Sequence, residues 1–125
     1  MAFAVGASAQ VKLVVTVADT ASSMGSGDVD VLATPRVVSL CEQASVEAVR
    51  PYLPEGQVSV GLRVEITHLV PVVVGRTVIA NAVLERVEGK RLIFNVTVND
   101  EHGLVAAGRV TRVLIDRAAF MDKAR

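Results

Sequence analysis

The chain has 125 residues, of which 51% are hydrophobic and 21% charged, with 13 basic side chains against 13 acidic ones. That length suits one domain spanning 1–125 around a single core. The hydrophobic content excludes intrinsic disorder, and the zero formal net charge removes the usual ground for a nucleic-acid or anionic-membrane partner. Cys41 is the only cysteine, which excludes an internal disulfide and favours a reducing cytoplasm, and no run approaches the roughly 18 apolar residues of a membrane helix.

The opening MAFAVGASAQVKL has no basic residues ahead of its apolar ones and is broken by Gly6, Ser8 and Gln10, so it reads as the approach to a strand rather than a signal. Val11 to Val17 is rich in β-branched residues and sets Val11, Leu13, Val15 and Val17 on one face, the pattern of a first strand. From Ala18 to Asp30 the chain is rich in Ser, Gly, Asp and Thr. It is expected to be a long loop with nothing to contribute to a core.

Thr34-Pro35 predicts a helix start, with the threonine hydroxyl capping a free N–H and proline tolerated in the first turn. The helix is expected to run to about Arg50 and stop at Pro51. At 100° per residue, Val37, Val38, Leu40, Cys41, Ala44, Ser45, Ala48 and Val49 form a broad apolar arc, too wide for a flat sheet face and suited to a sheet that wraps the helix.

Beyond the turn Tyr52-Leu53-Pro54-Glu55-Gly56, strict alternation predicts a strand with Val58, Val60, Leu62, Val64, Ile66 and His68 facing inward and Gly61 in the outward row. Three more strands follow: Thr77 to Val87, Leu92 to Val98, and Leu104 to Ile115. Glu88-Gly89-Lys90 and Asn99 to Gly103 separate them. Short connections imply adjacent antiparallel pairing, so the expected fold is α+β, a curved antiparallel sheet around one helix.

A few polar residues stand out. Glu42 lies at the border of the helix's apolar arc, where a carboxylate either reaches solvent or is held in a cleft. His68 takes an inward position at a strand end, either as a hydrogen-bonded structural histidine or as an acid–base group. Thr34 puts a hydroxyl beside helix N–H groups that favour developing negative charge. Gly61 marks a place where another backbone or a ligand approaches closely. Cys41 falls in the buried arc and reads as core, His102 as a solvated turn residue, and no ligand cluster for a metal is apparent in the spacing.

Four segments, LATPRVVSLCEQASVEAVRPYLPEG, SVGLRVEITHLVPVVVG, VEGKRLIFNVTVND and GRVTRVLIDRAAF, resemble the hotdog-fold thioesterases, in particular the fluoroacetyl-coenzyme A thioesterase family. The resemblance implies a hotdog fold and hydrolysis of an acyl-coenzyme A thioester. Thr34, Glu42 and His68 match the family's catalytic residues, Gly61 a substrate-contact glycine and Arg112 an arginine near the site opening. It further implies a homodimer, extendable to a dimer of dimers, with two clefts at the interface. Coenzyme A enters as part of the substrate, and no separate cofactor is expected. A noncatalytic acyl-coenzyme A binding domain and a hotdog hydratase or dehydratase are the alternatives. TASSMGSGDVDV stands where the fluoroacetyl-specific enzyme has a more aromatic lid, so the resemblance implies a small to medium acyl group without implying fluorine.

Overall fold

The computed structural model describes residues 3–125. Five strands, β1 (Ser8–Val14), β2 (Gln57–His68), β3 (Thr77–Glu88), β4 (Arg91–Asp100) and β5 (Gly103–Asp116), form an antiparallel sheet in the order β1-β3-β4-β5-β2. Strands β3, β4 and β5 are neighbours because tight turns join them. Gly89 and Gly103 take the positive φ that those turns need. This leaves β1 and β2 as the two edges.

The long helix α2 (Thr34–Val49) lies in the sheet's concave face, mainly against β1 and β3. Its buried residues are Val37, Leu40, Cys41, Ala44, Ser45, Ala48 and Val49, the expected arc apart from Val38, which is half-buried. Facing them are Val78, Ala80, Ala82 and Leu84 of β3 and Leu92, Phe94, Val96 and Val98 of β4, all buried at period two. The two alanines of β3 let the helix approach closely, and each large apolar side chain buried here contributes roughly 1.5–3 kcal/mol. Ser45 is satisfied inside the core by donating to the Cys41 carbonyl at 2.8 Å. The architecture is the expected hotdog fold: a curved antiparallel sheet wrapped around a central helix. Among the described residues no helix is long and apolar enough to cross a membrane.

Several local expectations are corrected. The first strand ends at Val14, and Val17 is 67% exposed in a single 3-10 turn, Val17–Asp19. Strand pairing stops there because Asp19 reaches back to the Thr16 N–H and hydroxyl at 2.8 and 2.9 Å. Nor is the segment after it a loop without a core. It contains a short helix, α1 (Ala21–Met24), capped by the Thr20 hydroxyl, and Asp19, Thr20 and Ala21 are buried. Pairing of Thr20 with Leu32 and of Val31 with Val73 satisfies the backbone, which is how so polar a stretch joins the body of the protein. Pro51 sits inside a 3-10 turn, Arg50–Tyr52, which continues directly from α2. An eight-residue helix, α3 (Arg117–Ala124), follows β5, its start capped by Asp116 accepting from the Ala119 N–H at 3.0 Å.

Asp19 also ties this segment to α2, since its carboxylate accepts from Arg36 Nε at 3.0 Å and its carbonyl from the Ala33 N–H at 2.9 Å. Burial acts to raise its pKa, but the hydrogen bonds from Thr16 and Arg36 prevail and hold the carboxyl below its ordinary value. A depressed pKa stabilises the fold above the unfolded carboxylate value of about 3.9, and that contribution is lost as pH falls through the folded value. Asp19→Asn is therefore expected to lower Tm at pH 7. The gap to the unsubstituted protein should close as a series of melts is carried below pH ~3.9.

Candidate active site

Thr34 is the first residue of α2 and His68 the last of β2, and the threonine Oγ1 lies 2.9 Å from the histidine Nδ1. This replaces the expected capping role: Ala33 is the N-cap, and no side chain caps the helix start. The other ring nitrogen, Nε2, is buried and has no partner among the described residues. The pair borders a cavity of about 310 Å³ whose walls include Gly27, Val29, Val31 and Leu32 of the segment before the helix. That segment thus supplies much of the cavity lining, and it does so with small and aliphatic side chains.

A second group forms around Glu42, two helical turns further along α2. Arg112 of β5, 7% exposed, donates from Nη1 to Glu42 Oε2 at 3.0 Å. It also donates from Nε to the Ser59 hydroxyl and from Nη2 to the Ser59 carbonyl, each at 2.9 Å. Burial lowers the guanidinium pKa, and the Glu42 charge and hydrogen bond work in the opposite direction. Beside this pair, a Cβ placed on Gly61 would lie 2.6 Å from Glu42 Oε2, so glycine leaves the carboxylate its position. Glu42 is neither fully wet nor buried, with 34% of its side chain exposed.

One irregularity in β2 makes both groups possible. Gly61 and His68 are seven residues apart, and an unbroken strand would point them to opposite faces. Pairing with β5 shifts between Gly61 opposite Arg112 and Arg63 opposite Thr111, leaving Leu62 as an extra, 52% exposed residue. The bulge reverses the alternation. Ser59 and Gly61 face the helix before it and His68 faces the helix after it, which corrects the expected inward Val58, Val60 and Leu62 and outward Gly61.

Thr34 and Glu42 are eight residues apart on one helix, about 12 Å along its axis at 1.5 Å per residue. Within one chain the structure brings Thr34 to His68, and Glu42 to Gly61 and Arg112, but does not bring the two groups to a common point. Ser59, a polar residue that nothing in the alternating strand sets apart, is the anchor of Arg112. Cys41, beside Glu42 in sequence, is buried. Its thiol is pushed up to about 12, by desolvation first and by the Glu42 charge second, which leaves it protonated and a poor nucleophile at neutral pH. His102 sits in the β4–β5 turn beside Glu101, exposed as expected.

Comparison with known proteins places the chain. Residues 15–118 match the family model described as fluoroacetyl-CoA-specific thioesterase, FlK. The chain belongs to this family. A fluoroacetyl-CoA thioesterase from Streptantibioticus cattleyicolor is 36% identical over 96 residues, covering 77% of this chain and 69% of that protein. A solved structure of the fluoroacetyl-CoA thioesterase FlK superposes with a TM-score of 0.93 at 30% identity, covering 100% of this chain and 97% of the other. A thioesterase superfamily member from Thermus thermophilus gives 0.89 at 32% identity, covering 96% and 89%. Kinship with the FlK family accounts for the whole architecture, including the helix inside the curved sheet.

Proposed function

We propose that the protein hydrolyses an acyl-coenzyme A thioester to the free acid and coenzyme A, in clefts between two copies of the chain. Thr34, Glu42 and His68 act as catalytic residues, and Gly61 and Arg112 border the substrate. The observation that carries this reading is the 2.9 Å contact between Thr34 Oγ1 and His68 Nδ1 at the edge of a cavity, at the start of a helix. It couples a hydroxyl to an imidazole where the helix dipole favours negative charge. Membership of the FlK family supports the thioester as substrate, and solved forms of FlK in complex with acetyl-CoA or with fluoroacetate support a short acyl group.

The offset of about 12 Å along the helix between Thr34 and Glu42 favours a dimer. A two-fold axis running the helices past each other would set Glu42 of one copy opposite Thr34 and His68 of the next. Strand β2 is an edge of the sheet, and its free side offers a seam for such pairing.

In this arrangement the Nδ1–H of His68 donates to Thr34 Oγ1, which avoids burying an unpaired donor at Nε2 and leaves the threonine proton for the cavity. Glu42, paired with Arg112, takes a proton from a water that attacks the carbonyl carbon, or attacks the carbon itself to form an anhydride that water then hydrolyses. The new C–O bond forms, charge builds on the carbonyl oxygen near the helix start, and the C–S bond then breaks. The proton that Glu42 takes from water goes to the departing sulfur, which restores the carboxylate, and Thr34, held by the His68 Nδ1–H, donates a hydrogen bond to the oxygen on which charge builds. A cytoplasmic setting is part of the same reading.

The test is thiol release from a panel of acyl-coenzyme A substrates, followed with a thiol-trapping reagent. Release proportional to protein, strongest for small to medium acyl groups, is expected. Hydration of an enoyl-coenzyme A without thiol release would instead establish the hydratase class, and tight binding without turnover would establish a noncatalytic domain.

A further inference from the structure

Arg112 is a costly residue to bury, and what surrounds it says what it is for. A guanidinium at 7% exposure is stabilised only if its N–H groups are paired, and an apolar residue of similar volume would serve stability as well or better. All three of its nitrogens are spoken for: two by Ser59, through hydroxyl and carbonyl, and the third by Glu42 Oε2. Ser59 holds the planar fork from one residue with two bonds, which restricts its rotation and aims one Nη1–H at the carboxylate. Gly61 lies beside the same oxygen, and a Cβ there would come 2.6 Å from it. Oε2 thus rests against a cation and beside a glycine that leaves it room.

We propose that Ser59 is a positioning residue for thioester hydrolysis, locking Arg112 so that Glu42 is held in one orientation with its other oxygen directed to the reacting carbonyl. This rests on the reading of Glu42 as catalytic. Ser59 touches no reacting atom; it acts through Arg112. Its place in β2 follows from the bulge at Leu62, which turns the Ser59–Gly61 half of the strand toward the helix.

Two variants of nearly equal shape test the role, both favourable in a strand: Ser59→Thr keeps the hydroxyl and Ser59→Val replaces it with a methyl group. Loss of a hydrogen bond to a charged group predicts that kcat of the valine variant falls roughly tenfold or more below that of the threonine variant. KM should stay within about twofold, because the lost interaction orients the carboxylate rather than binding substrate. Any strain from the added carbon is common to both variants, so a misfit at this site cancels in the comparison. Equal kcat for the two variants overturns the proposal, whether both are high or both low, as does a difference that appears in KM or Tm alone. If the unsubstituted protein releases no thiol, or Glu42→Gln releases it at the unsubstituted rate, the catalytic reading of Glu42 fails and this proposal falls with it. If Glu42→Gln is impaired while the valine and threonine variants are equal, only the role of Ser59 is lost.

Discussion

Replacing Glu42 by glutamine is expected to lower kcat for acyl-coenzyme A hydrolysis by about a thousandfold, within the range that a positioned acid–base group supplies. Glutamine is nearly isosteric and its carbonyl can still accept from Arg112 Nη1, so the packing against Gly61 is retained while the charge and basicity are lost. Removing the charge also leaves Arg112 without its anion. Part of that cost is relieved by solvent, since Glu42 is 34% exposed, so a lower Tm with a native circular dichroism spectrum is expected beside the kinetic loss. Activity within about threefold of the unsubstituted protein would make Glu42 a structural partner of Arg112 and nothing more. Rates taken well below each variant's Tm, with KM fitted separately, settle the point.

The largest expected effect on folding lies at a residue with no part in the chemistry. Gly108 of β5 pairs with Ile66 of β2 on one side and Val96 of β4 on the other. A Cβ at this position would overlap the Glu65 carbonyl oxygen and come within 2.8 Å of Ile66 Cα and 2.9 Å of the Glu65 carbonyl carbon. These are backbone atoms of a paired strand and cannot rotate away as a side chain would. Gly108→Ala is expected to cost at least about 3 kcal/mol in urea unfolding, at the upper end for overpacking, and to loosen β2 with its Gly61 and His68. Gly75 is the control. Its φ of +93° strains an alanine, but nothing lies within 4 Å, so Gly75→Ala should cost only about 1 kcal/mol. Similar losses at the two positions would contradict the close-approach account.

How much of this was legible from residues alone follows from which forces leave a local trace. The arc of α2 and the alternations of β3 and β4 were readable because burial against one core repeats at the period of the element. Val37 to Val49 and Val78 to Leu84 are buried where that period puts them. The bulge was not readable. Val58, Val60 and Leu62 are apolar and fall in step with Val64, and the change of face between them is set by pairing with β5, which local sequence does not record. Thr34 was read as a cap because capping is the local use of a hydroxyl at a helix start, whereas its partner, His68, lies 34 residues away. Asp19 and Thr20 looked like solvated loop residues until the hydrogen bonds that bury them were visible. Asp116 before Arg117-Ala118-Ala119 is a local helix-start signal, overshadowed by the strand it ends. Glu42, Gly61 and Arg112 stood apart in sequence as members of a family pattern, and their mutual contact needed the fold.

The central claim is that a site is completed by Glu42 from one chain and by Thr34 with His68 from another. Mixing Glu42→Gln with His68→Ala under conditions that let subunits exchange tests it most directly. Each variant alone should be nearly inactive. After exchange of equal amounts, half of the dimers are mixed and each of those has one intact site of two, so activity should rise to roughly a quarter of the unsubstituted level. If mixed dimers form, as native mass spectrometry can establish, and activity does not rise, the residues do not meet across an interface and the account is contradicted.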